Sequence, residues 1–216
     1  MRSRIVVLVM LLVFAVAVGV QAEGAGIVAK GIKAGINIAG HRGSDTDDHH
    51  KSRTGFIGGG FLTYMFTPAL GLQPELLYSQ KGFKWEDGDW KETGKFTYLE
   101  IPVLVKYMIP MDGAVMPNLY AGVAPAFLMS AKVDWEDNYS GMGVILGDSG
   151  TDDYKDDSSS FDIGLVFGGG VNFSAGEGLL MFDVRYTMGM IDVPDVEEDY
   201  DIKNKAITIM AGYGFK

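Results

Sequence analysis

The chain has 216 residues with 18 basic and 28 acidic side chains, a formal net charge of −10 and no cysteine. That length suits one domain, and the missing cysteine excludes a disulfide framework, a lipid-acceptor thiol and any thiolate metal site. The acidic balance argues against attraction to nucleic acid or anionic lipid headgroups through net charge alone.

Arg2 and Arg4 precede an apolar run from Ile5 to Val18, which closes on Val20-Gln21-Ala22. A basic start, a short apolar core and small residues before the cut predict a signal peptide over 1–22, cleaved before Glu23. The run is short for a bilayer-spanning helix. Its removal leaves 16 basic against 28 acidic residues, a net charge of −12. No later run is long enough for a transmembrane helix, so a membrane span in the domain 23–216 must be built from strands.

Gly31 to Ala39 alternates Ile32, Ala34, Ile36 and Ile38 against Gly31, Lys33, Gly35 and Asn37, which predicts a first strand with one apolar and one polar face. A polar loop, Gly40 to Arg53, holds all three histidines. A second strand covers Thr54 to Phe66, with Phe56, Leu62, Tyr64 and Phe66 on one face and a Gly58-Gly59-Gly60 run suited to a bend. After a turn at Thr67-Pro68-Ala69, the third strand sets Leu70, Leu72, Pro74, Leu76 and Tyr78 against Gln73, Glu75, Ser79 and Lys81. The loop Gly82 to Gly94 carries Trp85 and Trp90, and the fourth strand, Tyr98 to Tyr107, has Glu100 and Lys106 on its polar side.

A turn spanning Pro110 to Pro117 leads to the fifth strand, Asn118 to Val133, with Leu119, Val123, Phe127 and Met129 opposing Gly122, Ala124, Ser130 and Lys132. The longest loop follows, Asp134 to Ser160. Strand six, Phe161 to Phe173, shows the pattern most cleanly: Phe161, Ile163, Leu165, Phe167, Val171 and Phe173 alternate with mostly small or polar residues. Ser174 to Gly178 is a short turn, and strand seven opposes Leu180, Phe182, Val184, Tyr186 and Met188 to Asp183, Arg185 and Thr187. An acidic loop, Ile191 to Asn204, precedes strand eight, which ends on Ile207, Ile209, Tyr213 and Phe215.

Three short turns alternate strictly with four long loops, and the loops hold 21 of the 28 acidic residues. A soluble periplasmic, lipocalin-like barrel has no reason to segregate its connections in this way. The pattern predicts an all-β fold: an eight-stranded antiparallel up-and-down transmembrane β-barrel with four long surface loops and three short periplasmic turns. Trp85, Trp90 and Trp135 all fall in these loops, Trp85 and Trp135 just beyond strand ends where an outer interfacial belt is expected, and Tyr64, Phe66, Tyr107, Phe173 and Phe215 could supply the opposite one.

At Pro74-Glu75-Leu76-Leu77-Tyr78-Ser79-Gln80-Lys81-Gly82 and Tyr98-Leu99-Glu100-Ile101-Pro102 the chain resembles the Bacteroidetes-type outer-membrane β-barrel family, whose members are often labelled porin-family or PorT-like. Gly31-Ile32-Lys33-Ala34-Gly35-Ile36-Asn37 and the Gly-Gly-Gly runs are similar to the same family. The resemblance covers essentially the whole mature chain and implies an eight-stranded barrel in a Gram-negative-type outer membrane. Functions in that family are mostly unassigned, and PorT itself is associated with protein secretion. The chain departs from the pattern at its end, where Lys216 follows the aromatic Phe215.

Alternation turns Lys33, Asn37, Gln73, Glu75, Lys81, Glu100, Lys106, Lys132, Asp162, Asn172, Asp183 and Arg185 inward. An eight-stranded interior is just wide enough for side chains to fill, and charges there must be paired. A charge network of Lys33, Glu75, Lys81, Glu100, Lys106, Asp183 and Arg185 is therefore expected, with Glu75 bonding Lys106 or Lys81 and Asp183 bonding Arg185. An ion path through it is the alternative.

His41, Asp45, Asp47, Asp48, His49 and His50 offer zinc- or nickel-binding side chains without a recognised spacing. Asp148, Asp152, Asp153, Asp156 and Asp157 lack the calcium-loop pattern. Both read as solvated loops, so no metal or cofactor is assigned. No Ser-His-acid spacing stands out and the glycine runs lie inside strands, so the chain is read as neither an enzyme nor a nucleotide binder. The expectation is a monomeric barrel in outer-membrane lipid, with acidic loops that take a cationic surface ligand or loose divalent cations and bind no nucleic acid. A narrow porin-like channel and an enzyme acting on lipid A or peptides are the alternatives.

Overall fold

The computed structural model describes residues 25–44, 46, 49–141, 144–194 and 201–215. The predicted leader lies outside them, as do Asp45, Asp47 and Asp48 of the first loop. Ten strands follow one another: β1 (Gly26–Arg42), β2 (His50–Met65), β3 (Leu70–Asp87), β4 (Trp90–Glu100), β5 (Val103–Met108), β6 (Val115–Gly141), β7 (Val144–Asp153), β8 (Phe161–Ala175), β9 (Gly178–Asp192) and β10 (Lys203–Phe215).

All pairings are antiparallel and they close a ring. Successive strands pair from β1 to β3, β3 pairs β4 and β5, both pair β6, and the ring continues through β8, β9 and β10. It closes where β10 pairs β1, from Lys30↔Phe215 to Arg42↔Lys203. β4 and β5 form one stave interrupted at Ile101-Pro102, since proline has no N–H for the ladder. Backbone bonds bridge the gap: Ile101 N–H donates to the Pro125 carbonyl (2.8 Å) and Glu75 N–H to the Pro102 carbonyl (2.9 Å). The predicted eight staves are therefore present, and β7 is an addition that pairs only β6.

The faces are inverted relative to a soluble protein. Ile32, Leu119 and Val184 are 69%, 57% and 54% exposed, whereas Lys33, Glu75 and Arg185 are each 3% exposed. Closure leaves the wall without a free sheet edge, the condition for crossing hydrocarbon with strands.

The outer connections differ from the predicted long loops. β3 and β4 run without interruption to Asp87↔Trp90, so most of Gly82 to Gly94 is a hairpin rather than a loop. β6 and β7 likewise turn much of Asp134 to Ser160 into a second hairpin, in register from Lys132↔Asp153 to Gly141↔Val144. Outside the bilayer both faces of a strand meet water, so ladder pairing persists while the apolar alternation that betrays it does not.

Lys132 is the one predicted lumen residue that the structure moves. Thr97 pairs Ser130 but Tyr98 pairs Leu128, so Met129 is an extra residue in β6. A bulge of one residue exchanges faces beyond it, and Lys132 lies exposed on the outer side, opposite Lys95.

Candidate functional site

The lumen is built in layers from inward positions. At the periplasmic end Ala29, Phe61, Leu179 and Met181 cluster with Met116 against them. Lys33, from β1, lies 5.2 Å from the centroid of the Phe61 ring and starts the charged layer above it. Its ammonium donates to Glu75 Oε1 and to Asp183 Oδ2, both at 2.8 Å. Arg185 grips the same Glu75 with two bonds, Nη1 to Oε2 at 2.8 Å and Nη2 to Oε1 at 3.1 Å. Gln73 donates to Glu75 Oε1 (2.7 Å), and its own carbonyl accepts from Lys106 (3.0 Å) and Thr63 (2.9 Å). Glu75 is thus the hub, joining staves β1, β3 and β9.

The arrangement gathers the predicted charges but pairs them differently. Glu75 bonds Lys33 and Arg185 rather than Lys106 or Lys81, and Lys33 rather than Arg185 bonds Asp183. Lys81 and Glu100 form their own pair (2.7 Å) higher in the barrel, with Lys81 over the Tyr98 ring. Asn37 donates to Ser79 (2.9 Å) and accepts from Thr208 (2.7 Å). Asn204 donates to Asp162 (3.1 Å) and to the Tyr98 hydroxyl (3.2 Å).

Thr63 and Tyr120 escaped the sequence reading. Tyr120 lies 5.5 Å beneath the Arg185 guanidinium, and its ring fits because Gly168 stands opposite, where a Cβ would come within 2.6 Å of it. The signal was available: Tyr120 and Thr63 occupy polar-face positions of their strands, and the β8 glycine run marks a place where something large crosses.

Above the charged layers Phe96, Tyr98, Leu128, Ala131 and Val193 form an apolar floor, with Phe83 packed on it. A cup of about 280 Å³ opens on it, lined by His41, Phe83, Phe96, Val133, Tyr154 and Pro194 among others. His41 is buried here, 4.7 Å from Phe83, rather than in a solvated loop. Ser158 also lines the cup, but its hydroxyl donates to the Tyr154 carbonyl (2.7 Å).

Outside the bilayer the two hairpins form one sheet with two distinct faces. On the continuation of the lumen side, Trp90 and Trp135 stack with ring planes 2° apart and centroids at 5.7 Å, and Trp90 donates to Glu92 (3.0 Å). Register places Trp85 opposite Glu92 and Glu92 opposite Trp135. The tryptophans therefore sit on the inner face of the extension, not in a lipid-facing belt, because each shares its pleat with lumen residues of its strand. The other face is charged: Lys51 contacts Glu86 and Lys95 contacts Asp134. The Lys95 ammonium foremost, and the Thr151 hydroxyl with it, hold the Asp134 carboxyl below the usual carboxylate range. Lys51 does the same for Glu86.

Asp148, Asp152, Asp153, Asp156 and Asp157 are exposed along and beyond β7. Asp148 and Asp153 accept from the backbone N–H groups of Ser149 and Lys155. Among the described residues no group of three or more His, Asp or Glu side chains is placed to hold a metal ion.

Comparison with known proteins fits this architecture. Residues 21–195 match the family model described as the outer membrane protein beta-barrel domain. The chain belongs to that family. It is an outer-membrane β-barrel, matched at the level of the domain and not of a Bacteroidetes-type or PorT-like branch. No curated protein matches it. Among solved structures it is similar to Ail, the attachment invasion locus protein of Yersinia pestis, at 18% identity and TM-score 0.46, covering 87% of this chain and 98% of that one. Neisserial surface protein A is similar at 16% identity and TM-score 0.49, over 88% and 99% of the two chains. Outer membrane protein W of E. coli is similar at 12% identity and TM-score 0.44, over 87% and 98%.

Proposed function

We propose that this outer-membrane β-barrel is a surface-interaction protein whose barrel is a closed anchor and whose extracellular hairpins and acidic strand β7 are the binding face. One observation carries this reading. Lys33, Glu75, Lys106, Asp183 and Arg185 lie across the lumen, each no more than 3% exposed and bonded within one layer. A path for ions would have to break these bonds and leave charges bare in a low-dielectric interior, which costs several kcal/mol per charge, an order-of-magnitude figure. Chemistry has no comparable support, since the proton of Ser158, which lines the cup with His41, is committed to a backbone carbonyl.

On this reading the ligand is cationic and meets Asp148, Asp152, Asp153, Asp156 and Asp157. The folded protein in nanodiscs is expected to bind a polylysine-coated surface in low salt and to release it in high salt. Replacing Asp152, Asp153, Asp156 and Asp157 together by Asn should abolish that binding while leaving the barrel folded. Unchanged binding by the quadruple variant would refute the acidic face. Discrete conductance steps in a planar bilayer, altered by Glu75→Gln, would replace the closed anchor by a narrow channel.

A further inference from the structure

The net negative charge of this chain conceals a basic arc at the outer edge of the lipid-facing wall. On six contiguous staves, the outward positions just beyond the last large apolar side chain carry cations. These are Arg42 above Ile38 on β1, Lys51 above Phe56 on β2, Lys84 above Tyr78 on β3, Lys95 above Leu99 on β4, Lys132 above Met129 on β6, and Lys205 and Lys203 above Ile207 on β10. Each is two to six residues past its apolar neighbour, roughly 5 to 15 Å of height at ~3.3 Å per residue along a tilted strand, so Lys205 and Lys132 fall at the headgroup zone and Lys84 stands above it, from where its flexible stem reaches down.

The register makes the arrangement costly in isolation. Three cross-strand pairs are like-charged and directly opposite: Lys51↔Lys84, Lys95↔Lys132 and Arg42↔Lys203. Such pairs destabilise a sheet unless something negative lies between them. Internal carboxylates answer part of this charge. Lys51 contacts Glu86, Lys95 contacts Asp134, and Lys203 contacts Asp192 and Asp201. Lys84, Lys132 and Lys205 form no ion pair with a carboxylate among the described residues. The bulge at Met129 is what delivers Lys132 to this outer face.

We propose that this arc is a binding site for the phosphate groups of the outer-leaflet glycolipid, with Lys84, Lys132 and Lys205 as its principal contacts. The height favours that occupant. A soluble anion would be met equally well anywhere on the extracellular sheet, whereas these cations stand directly above side chains that face lipid on the same strands. Of the β7 acids, Asp153 lies directly opposite Lys132 but forms no ion pair with it, its carboxylate accepting from the Lys155 N–H instead, and Asp148 lies further out along β7. The site adjoins the β7 face only at Lys132↔Asp153, and Lys84 and Lys205 stand on β3 and β10, away from β7.

The experiment uses the full mature protein folded in phosphatidylcholine nanodiscs and measures partition of bisphosphorylated lipid A into them. Wild type is expected to retain lipid A at least tenfold better than dephosphorylated lipid A, with the difference shrinking as salt rises. The K84Q/K132Q/K205Q variant should lose that tenfold preference, and the Lys→Arg triple variant should keep it. Heat-dependent gel mobility checks that each variant is folded, and the two-lipid comparison on wild type stands if one is not. Equal retention of the two lipids by wild type, or undiminished preference in the Gln variant, would overturn the site. Inorganic phosphate that displaces lipid A completely at millimolar concentration would overturn the assignment to a lipid and leave a site for free phosphate.

Discussion

At the scale of single residues, the lumen turns on Glu75. One carboxylate holds Lys33 and Arg185 from two other staves, residues 42 and 110 positions away in the chain. Glu75→Ala leaves two buried cations without their shared partner, and breaking a buried pair in this way costs about 3–5 kcal/mol. The expected outcome is a matching loss in urea-unfolding free energy of the barrel in lipid vesicles. A variant that also carries Lys33→Met and Arg185→Met should recover much of it, because no bare charge remains. The strand alternation disclosed which residues face inward, with the single exception of Lys132. It could not disclose their partners, since pairing depends on the stagger of staves around the ring. Residues two apart on one strand, such as Asp183 and Arg185, look like natural partners in the sequence, yet each bonds across the lumen instead.

At the scale of elements, the informative part is the sheet that β3, β4, β6 and β7 extend beyond the bilayer. Its polar segments read as loops because water on both sides removes the apolar periodicity that marked the membrane strands. The signals that remained were subtler: three tryptophans, Trp85, Trp90 and Trp135, and the stretch Lys91-Glu92-Thr93-Gly94-Lys95, which sets both lysines on one face and Glu92 on the other. The outer face of this sheet also fixes its response to acid. Asp134 and Glu86 are held below their ordinary values by lysine partners. A depressed carboxylate contributes stability above its unfolded value and loses it as pH falls through the folded one. The exciton signal of the Trp90–Trp135 stack in near-ultraviolet circular dichroism should therefore hold from pH 8 to pH 5 and decay only below about pH 4. In Asp134→Asn that acid-dependent decay should shrink.

At the scale of the whole molecule, the eight staves were legible because length of connection, charge and alternation all agreed, and the closed ring follows from them. What the sequence did not carry was the close approach of neighbouring strands at particular glycines. Gly35 of β1 lies against β10 so closely that a Cβ there would come within 1.9 Å of the Ile209 carbonyl oxygen. Gly35→Val should prevent β1 and β10 from pairing, and the expected result is loss of the heat-dependent mobility shift on gels. That pairing has a further consequence. Every other pairing in the wall joins staves that follow one another in the chain, with β4 and β5 as one stave and β7 outside the wall, but β1–β10 joins the first stave to the last, as in the bond from Thr208 to Asn37, 171 residues apart. Until the last strand is delivered, the nascent sheet carries two raw edges, and hydrocarbon exacts several kcal/mol for each unpaired backbone group. The membrane thus cannot take this protein up one strand at a time. Insertion is completed by the final thirteen-residue strand, and whatever delivers the chain must shelter both edges until that strand arrives.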